Sequence, residues 1–279
     1  PSTTYWHDVW QRFRRDPLAI LGLAVILVMA LAAIILPMVS PYSYDGMDLT
    51  HMNQGPSLAH PCGTDQMGRD LFIRILYGAR ISLTIGVVAA LINFFIGVIY
   101  GGLSGYIGGR TDMVMMRIVD IIYSIPDILI IILLQVTLKS PLQALFDSSP
   151  IFDGLNRVGV GLISIFITFS LLYWVSMARI VRSQVMTLKE QEFVTAAKAL
   201  GASNGRIIRK HLLPNCIGTL IVTATLQIPS AIFTEAFLSF LGLGVAAPMA
   251  SLGSLASDAI SSINSFPYRL FIPAVAISI

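Results

Sequence analysis

The side chains able to do chemistry are sparse, and most of them interrupt otherwise apolar sequence. Glu235 and Asp127 stand inside hydrophobic stretches. An ionised group costs roughly 2.5–3.5 kcal/mol at the centre of a bilayer, so each must face protein or water, where it can make a structural hydrogen bond or line a gate or substrate path. Pro229, one turn and a half before Glu235, joins them as a candidate gate position because proline disturbs a helix. Arg117 and Asp120, three apart on one helix, can pair with each other. Arg179 and Arg182 lie one turn apart and read as anchors at a membrane boundary. His51, His60 and Cys62 offer metal-ligating chemistry, but their spacing matches no compact ligand motif, and no metal site is expected. No Ser/His/Asp or paired-carboxylate arrangement can be assembled on one side of a membrane, and no G-x-x-x-x-G-K-[ST] loop is present to hold nucleotide phosphates. The chain reads as a protein without catalytic residues.

The elements that must position these residues follow from charge and hydropathy. The 279 residues are 55% hydrophobic and only 12% charged, with a mean hydropathy of +0.78. Charge is about half that of an ordinary soluble domain, which argues against a soluble enzyme, a disordered tail or a disulfide scaffold. A net charge of +3, scattered along the chain, does not suggest a nucleic-acid partner. No Lys, Arg, Asp or Glu occurs in 17–44, 81–109, 158–178 or 212–234. Each exceeds the ~20 residues that cross a hydrocarbon layer of about 30 Å as a helix. A further span runs from Met113 to Leu138, diluted by Arg117, Asp120 and Asp127, with Pro126 kinking it as Pro229 kinks the next. A last one begins near Phe266 and stops at Ile279, too short to cross. The expectation is an all-α polytopic bundle of six transmembrane helices in a chain trimmed at both ends, the last helix cut partway. The run from Pro17 to Val39 is longer than a secretion-signal core and lacks an A-x-A site, so it is retained. Continuous runs without alternation argue against a transmembrane barrel.

Orientation follows the basic residues. Arg182, Lys189, Lys198, Arg206, Arg209 and Lys210 outnumber Glu190 and Glu192 in one connection, which is placed in the cytoplasm. The N-terminus and the 105–112 turn then lie inside, and 40–79, 139–157 and 241–265 outside. Arg69, Arg74 and Arg80 disagree, offset by Asp45, Asp48, Asp65 and Asp70. Cys62 and Cys216 fall on opposite sides, so no internal disulfide is expected.

Two segments carry structural detail. Gly97, Gly101 and Gly105 repeat every four residues along one face of the second span, a spacing that lets another helix backbone approach closely. In the basic connection, Phe193, Ala196, Ala197 and Leu200 give a short helix near 190–203 one apolar face, and Gly201 stands where it would stop in a left-handed conformation. A second helical stretch, 204–213, leads to Pro214 and back into the membrane. That apolar face requires a cover, either a lipid surface or a groove on a soluble partner.

This segment, KEQEFVTAAKALGASNGRIIRKHLLPN, resembles the EAA loop of the permease subunits of ABC importers. Ala196, Ala197, Gly201, Leu213 and Pro214 match its pattern; Thr195 stands in place of the leading Glu, with Glu192 one turn earlier. HPCGTDQMGRDLFIRILYGARISL (60–83) resembles the signature that follows the first span in C-type permeases of dipeptide, oligopeptide and nickel importers, with Ile73 in place of the usual Ser. RIVDIIYSIPDILI, ARIVRSQVM and TEAFLSFLGLG extend the likeness over essentially the whole chain. The resemblance implies a type I ABC importer permease in the bacterial plasma membrane, with an N-terminal region (1–60) and a permease core (61–279).

It implies that this chain holds no cofactor of its own, and it implies partners too: a second homologous permease completing the pore, two cytoplasmic ATPases holding ATP and Mg, and an extracytoplasmic binding protein or lipoprotein. The helix with Glu192, Phe193, Thr195, Ala196, Ala197, Leu200, Gly201, Ala202 and Pro214 would dock the ATPases, leaving Asp127, Pro229 and Glu235 as pore or gate candidates. The cargo expected is a peptide; the alternatives are nickel, or a stand-alone channel or secondary transporter, against which no repeat between 17–138 and 158–279 is found.

Overall fold

Where charge-free sequence must lie in hydrocarbon, the backbone can satisfy its N–H and C=O groups only within a helix. The computed structural model, which describes residues 5–148, 150–245 and 249–278, is helical throughout its long apolar runs. In chain order the helices are α1 (Tyr5–Phe13), α2 (Pro17–Val39), α3 (Leu71–Ile107), α4 (Gly109–Ser124), α5 (Asp127–Asp147), α6 (Asp153–Val158) and α7 (Val160–Leu172). They continue with α8 (Trp174–Leu188), α9 (Glu192–Ala199), α10 (Asn204–Ile207), α11 (Leu213–Phe240), α12 (Leu252–Ile260) and α13 (Tyr268–Ser278). A π-helical turn, Ile208–Leu212, carries α10 directly into α11.

Among the described residues, five stretches are long and apolar enough to cross a membrane: α2, α3, α5, Val160–Leu188 and Asn204–Phe240; α13 is a shorter apolar helix. Asp16 starts the first of them, its carboxylate accepting from the N–H groups of Leu18 and Ala19, with Pro17 at the first helical position where its missing donor costs nothing.

The span expected over 113–138 is corrected. The chain breaks between α4 and α5: Ile125 is extended (φ −97°, ψ 136°) and Pro126 follows it with φ −54° and ψ 120°. Proline supplies no N–H and pushes the preceding residue out of the helical region, so one helix ends and the next begins. The membrane-length apolar helix is α5, beyond the break. Pro229, by contrast, sits within α11, which remains helical on both sides of it.

The chain forms two compact units, one comprising Pro1–Ile81 and Pro248–Ile279, the other Ser82–Ala247. The core of the first joins Ala33 of α2, Ile75 and Ala79 of α3, and Ala250, Leu252 and Leu255 at and before α12. Its 48–70 loop is knit by the residues of the 60–83 signature. Asp65 accepts from the N–H groups of Met67 (2.8 Å) and Arg69 (3.0 Å), from Arg69 Nε (2.7 Å) and from Arg74. Burial opposes the Asp65 charge, but these donors and the Arg74 guanidinium outweigh it and hold the carboxyl below its ordinary value. Asp70 pairs with His60 (2.7 Å) and caps α3 through the N–H of Ile73 (2.8 Å). Arg69 and Arg74 are thus buried ion-pair members.

In the second unit, a core of Met177, Val181, Val185, Val194, Ile207, Leu212, Cys216 and Leu220 ties α8 to α9, α10 and α11. The small-residue stripe of α3 lies against α8. A Cβ on Gly97 would fall 2.5 Å from that of Met177, one on Gly105 2.7 Å from the Arg182 carbonyl oxygen, and one on Gly101 onto the Ala178 carbonyl. Cys62 and Cys216 are both free thiols.

Candidate functional site

The α9 helix has two faces with different neighbours. Val194 is fully buried and Ala197 and Ala202 pack on the same core, which keys the helix to the bundle. Phe193, Ala196 and Leu200, at i, i+3 and i+7, are exposed, Leu200 to 89%. Ala197 therefore belongs to the anchoring side rather than to the open face expected from the sequence. A three-residue shift around a short helix separates the two, and only the position of the core decides between them. Glu192, Thr195 and Lys198 flank the open face and are exposed.

The helix ends in a Schellman motif: the N–H of Ala202 donates to the Ala197 carbonyl and that of Gly201 to Lys198 (3.0 and 2.9 Å), with Gly201 at φ +80°. Pro214 is exposed in the first turn of α11.

Polar contacts fix this region to the C-terminal end of α3 and to α4. Lys189 Nζ donates to the Gly105 carbonyl (2.8 Å) and the Tyr106 hydroxyl to Asn204 Oδ1 (2.7 Å). Arg182 binds both Asp112 oxygens at 2.5 Å. Arg179 pairs with Asp120 (2.7 Å) and lies 4.2 Å from the Tyr123 ring centre. Asp120 pairs with Arg179 rather than with Arg117, and both arginines, expected as boundary anchors, bind α4 carboxylates. The α4 carboxylates reach α8 across the helix pair, and no local spacing reveals it.

Beside the α4–α5 break lies a cavity of about 480 Å³. Its walls include Ser124, Ile125 and Asp127 at the break, Tyr173 at the α7–α8 junction, and Gln227 and Ser230 on α11. Asp127 is exposed and its Oδ1 accepts from the N–H of Ile128 (2.9 Å). Tyr173 donates its hydroxyl to Thr234 (2.7 Å). Gln227 Nε2 donates to the Tyr173 carbonyl (3.4 Å), while its buried Oε1 has no partner among the described residues. Tyr173 and Gln227 were not singled out from the sequence, although each is a polar side chain in a charge-free run, the one signal that could have found them.

The other two gate candidates lie elsewhere. Pro229 is exposed on α11 and does not line this cavity. Glu235 is wholly buried: Oε2 accepts from Ser82 (3.0 Å) and Oε1 from Ser239 (2.6 Å), whose oxygen also accepts the N–H of Val245 (3.2 Å). It holds the end of α11 and the following turn against α3 instead of facing an opening.

Among the described residues no group of three His, Cys, Asp or Glu has metal-ligating geometry. His51 bonds to Asp48 (2.8 Å), with the Asp48 carboxyl lowered to about 2 by bonds from Thr50 and His51. Burial pushes the Cys62 thiol up.

Residues 93–279 match the family model described as binding-protein-dependent transport system inner membrane component, and residues 4–56 match the N-terminal transmembrane domain of oligopeptide transport permease C. The chain is 46% identical to the oligopeptide transport system permease protein OppC of Bacillus subtilis (strain 168), over 98% of this chain and 83% of that one. It is 48% identical to the dipeptide transport system permease protein DppC of the same organism, over 100% and 81%. Among solved structures, it resembles a chain of the MetNI methionine ABC transporter in an inward-facing conformation, with a TM-score of 0.51, 20% identity, and 75% of this chain and 91% of that chain covered.

Proposed function

The chain belongs to the family of binding-protein-dependent transport system inner membrane components, and from that premise we propose that it is a permease subunit of an ATP-driven peptide importer. The observation that carries the reading is the divided α9 helix. Val194 and Ala197 bind it to the bundle while Phe193, Ala196 and Leu200 stay open, the arrangement a helix needs to seat in a groove of a soluble partner. Peptide cargo is favoured over nickel because the relatives at 46% and 48% identity are named for oligopeptide and dipeptide transport.

On this reading two cytoplasmic ATPases, which hold ATP and Mg²⁺ and perform hydrolysis, cover the open face of α9. A second homologous permease completes the pore and an extracytoplasmic binding protein or lipoprotein delivers the peptide. The basic connection and the N-terminus are cytoplasmic. Movement of α9 reaches the pore through α8, whose Arg182 and Arg179 clamp α4 and whose first turn adjoins the cavity at Tyr173.

Purification from its native membrane in mild detergent should bring along a related permease and ATPase subunits, and peptide-loaded binding protein should stimulate their ATP hydrolysis. A homogeneous oligomer of this chain without an ATPase would overturn the reading in favour of a stand-alone transporter or channel.

A further inference from the structure

We propose that the cavity at the α4–α5 break is a cation subsite that takes the terminal ammonium group of the transported peptide; this rests on the peptide-importer reading. Tyr173 lies midway along the apolar stretch Val160–Leu188, so the adjacent break sits at bilayer depth. Irregular backbone is tolerated there only where it is buried in protein or lines a polar cavity.

Beside the hydroxyls of Ser124, Ser176 and Ser230 and the first turn of α5, whose leading N–H is met by the Asp127 carboxylate itself, the cavity gathers several acceptors. The last turn of α4 carries the negative end of its helix dipole, and of its carbonyls that of Ile121 accepts from the Ser124 hydroxyl (2.8 Å). Asp127 adds a full carboxylate with no ion-pair partner among the described residues, and Gln227 adds an Oε1 without a donor. The bond from Gln227 Nε2 to the Tyr173 carbonyl fixes which end of that amide is the acceptor. No Lys, Arg or His lines the cavity. Arg179, which lies over the ring of the lining residue Tyr123, is paired with Asp120.

One carboxylate among neutral acceptors suits a monovalent donor. A divalent ion would demand several carboxylates, and a cavity of about 480 Å³ has room for an organic group that a bare ion would not fill. The same acceptors repel a carboxylate, so the peptide enters this subsite by its amino end.

The test uses the assembled complex in proteoliposomes with saturating binding protein. Uptake is measured for one peptide with a free amino terminus and for its N-acetylated form, and the variant-to-wild-type ratio is taken for each, which cancels any preference of the binding protein. Asp127→Asn should lower uptake of the free peptide about tenfold, the loss expected for a charge-assisted hydrogen bond, and change uptake of the acetylated one less than twofold. Gln227→Leu, which leaves every charge in place, should show the same selectivity with a loss of roughly threefold.

Equal losses for both peptides in both variants would overturn the proposal. So would wild-type uptake that falls to the variant level when choline replaces sodium and potassium, since that marks an inorganic-cation site. Uptake of neither peptide by the assembled wild-type complex would instead refute the peptide-importer reading itself.

Discussion

Replacing Gly101 by alanine tests the α3–α8 seam most directly, because its neighbour Gly102 provides an internal control. The added Cβ at Gly101 would meet the Ala178 carbonyl and the Val181 side chain, whereas at Gly102 nothing lies within 4 Å. Ordinary carbon contacts settle at about 3.5–4.0 Å, so the two helices would have to part by about 1 Å. Overpacking of this kind costs about 1–3 kcal/mol. Exchanging glycine for alanine also gains about 0.5–1 kcal/mol of helix propensity. That gain is common to both positions, so the difference between the variants isolates the overlap at about 1–3 kcal/mol. Equilibrium unfolding in detergent micelles reads it as a lower midpoint for Gly101→Ala, with Gly102→Ala at or slightly above wild type. Since α8 leads into α9, Gly101→Ala should also depress substrate-stimulated ATP hydrolysis in the complex. Equal stability of the two variants would refute the close-approach argument.

Leu200→Glu places a charge on the open face of α9 without touching the core; it should abolish stimulated ATP hydrolysis with the unfolding midpoint of the permease unchanged, whereas Ala197→Glu should lower that midpoint as well. The 48–70 loop should loosen in acid. The folded Asp65 carboxyl lies below its unfolded value of about 3.9, so the stability it contributes is complete above that pH and is lost as pH falls through the folded value. Hydrogen exchange of the loop between pH 6 and 3 should show that loss, and Asp65→Asn should flatten the pH dependence. Asp70→Ala removes the α3 cap and the partner of buried His60; on the cap alone the cost is about 0.5–2 kcal/mol, read as a lower midpoint that Asp70→Asn restores in part.

How much of this was legible in advance depended on the range of the interaction. The charge-free runs located α2, α3, the α7–α8 stretch and α11, because a span is a local property of about twenty residues. Gly201 was legible for the same reason: the helix stop and its left-handed residue lie within one turn. The break at Pro126 was legible only as a kink. Whether proline bends a helix or ends it depends on its surroundings, and the cavity beside the break is walled by Tyr173 and Gln227 from distant segments. The pairings Arg179–Asp120 and Arg182–Asp112 span more than fifty residues and left no spacing to read.

On the importer reading proposed above, those two pairings would let α8 act as a single lever. Its first turn lies at the cavity, and its last residues enter the turn before α9. At 1.5 Å per residue, the helix carries a displacement over roughly 20 Å. A lever transmits only if it does not slide or roll, and the clamps differ in which motion they oppose. The glycine seam brings the α8 backbone against α3 along one side, while Arg179 and Arg182 hold α4 on another. Because α4 ends at the break, a shift of α8 that drags Asp112 and Asp120 must move Ser124 and Ile125 relative to Asp127. The break lets the acceptors of the cavity change their spacing without bending a continuous helix. A variant that cuts only the clamp, Arg182→Gln, should therefore leave α9 docked and ATP hydrolysis running while transport falls. Loss of hydrolysis and transport in the same proportion would place the clamp in the docking surface and refute the lever.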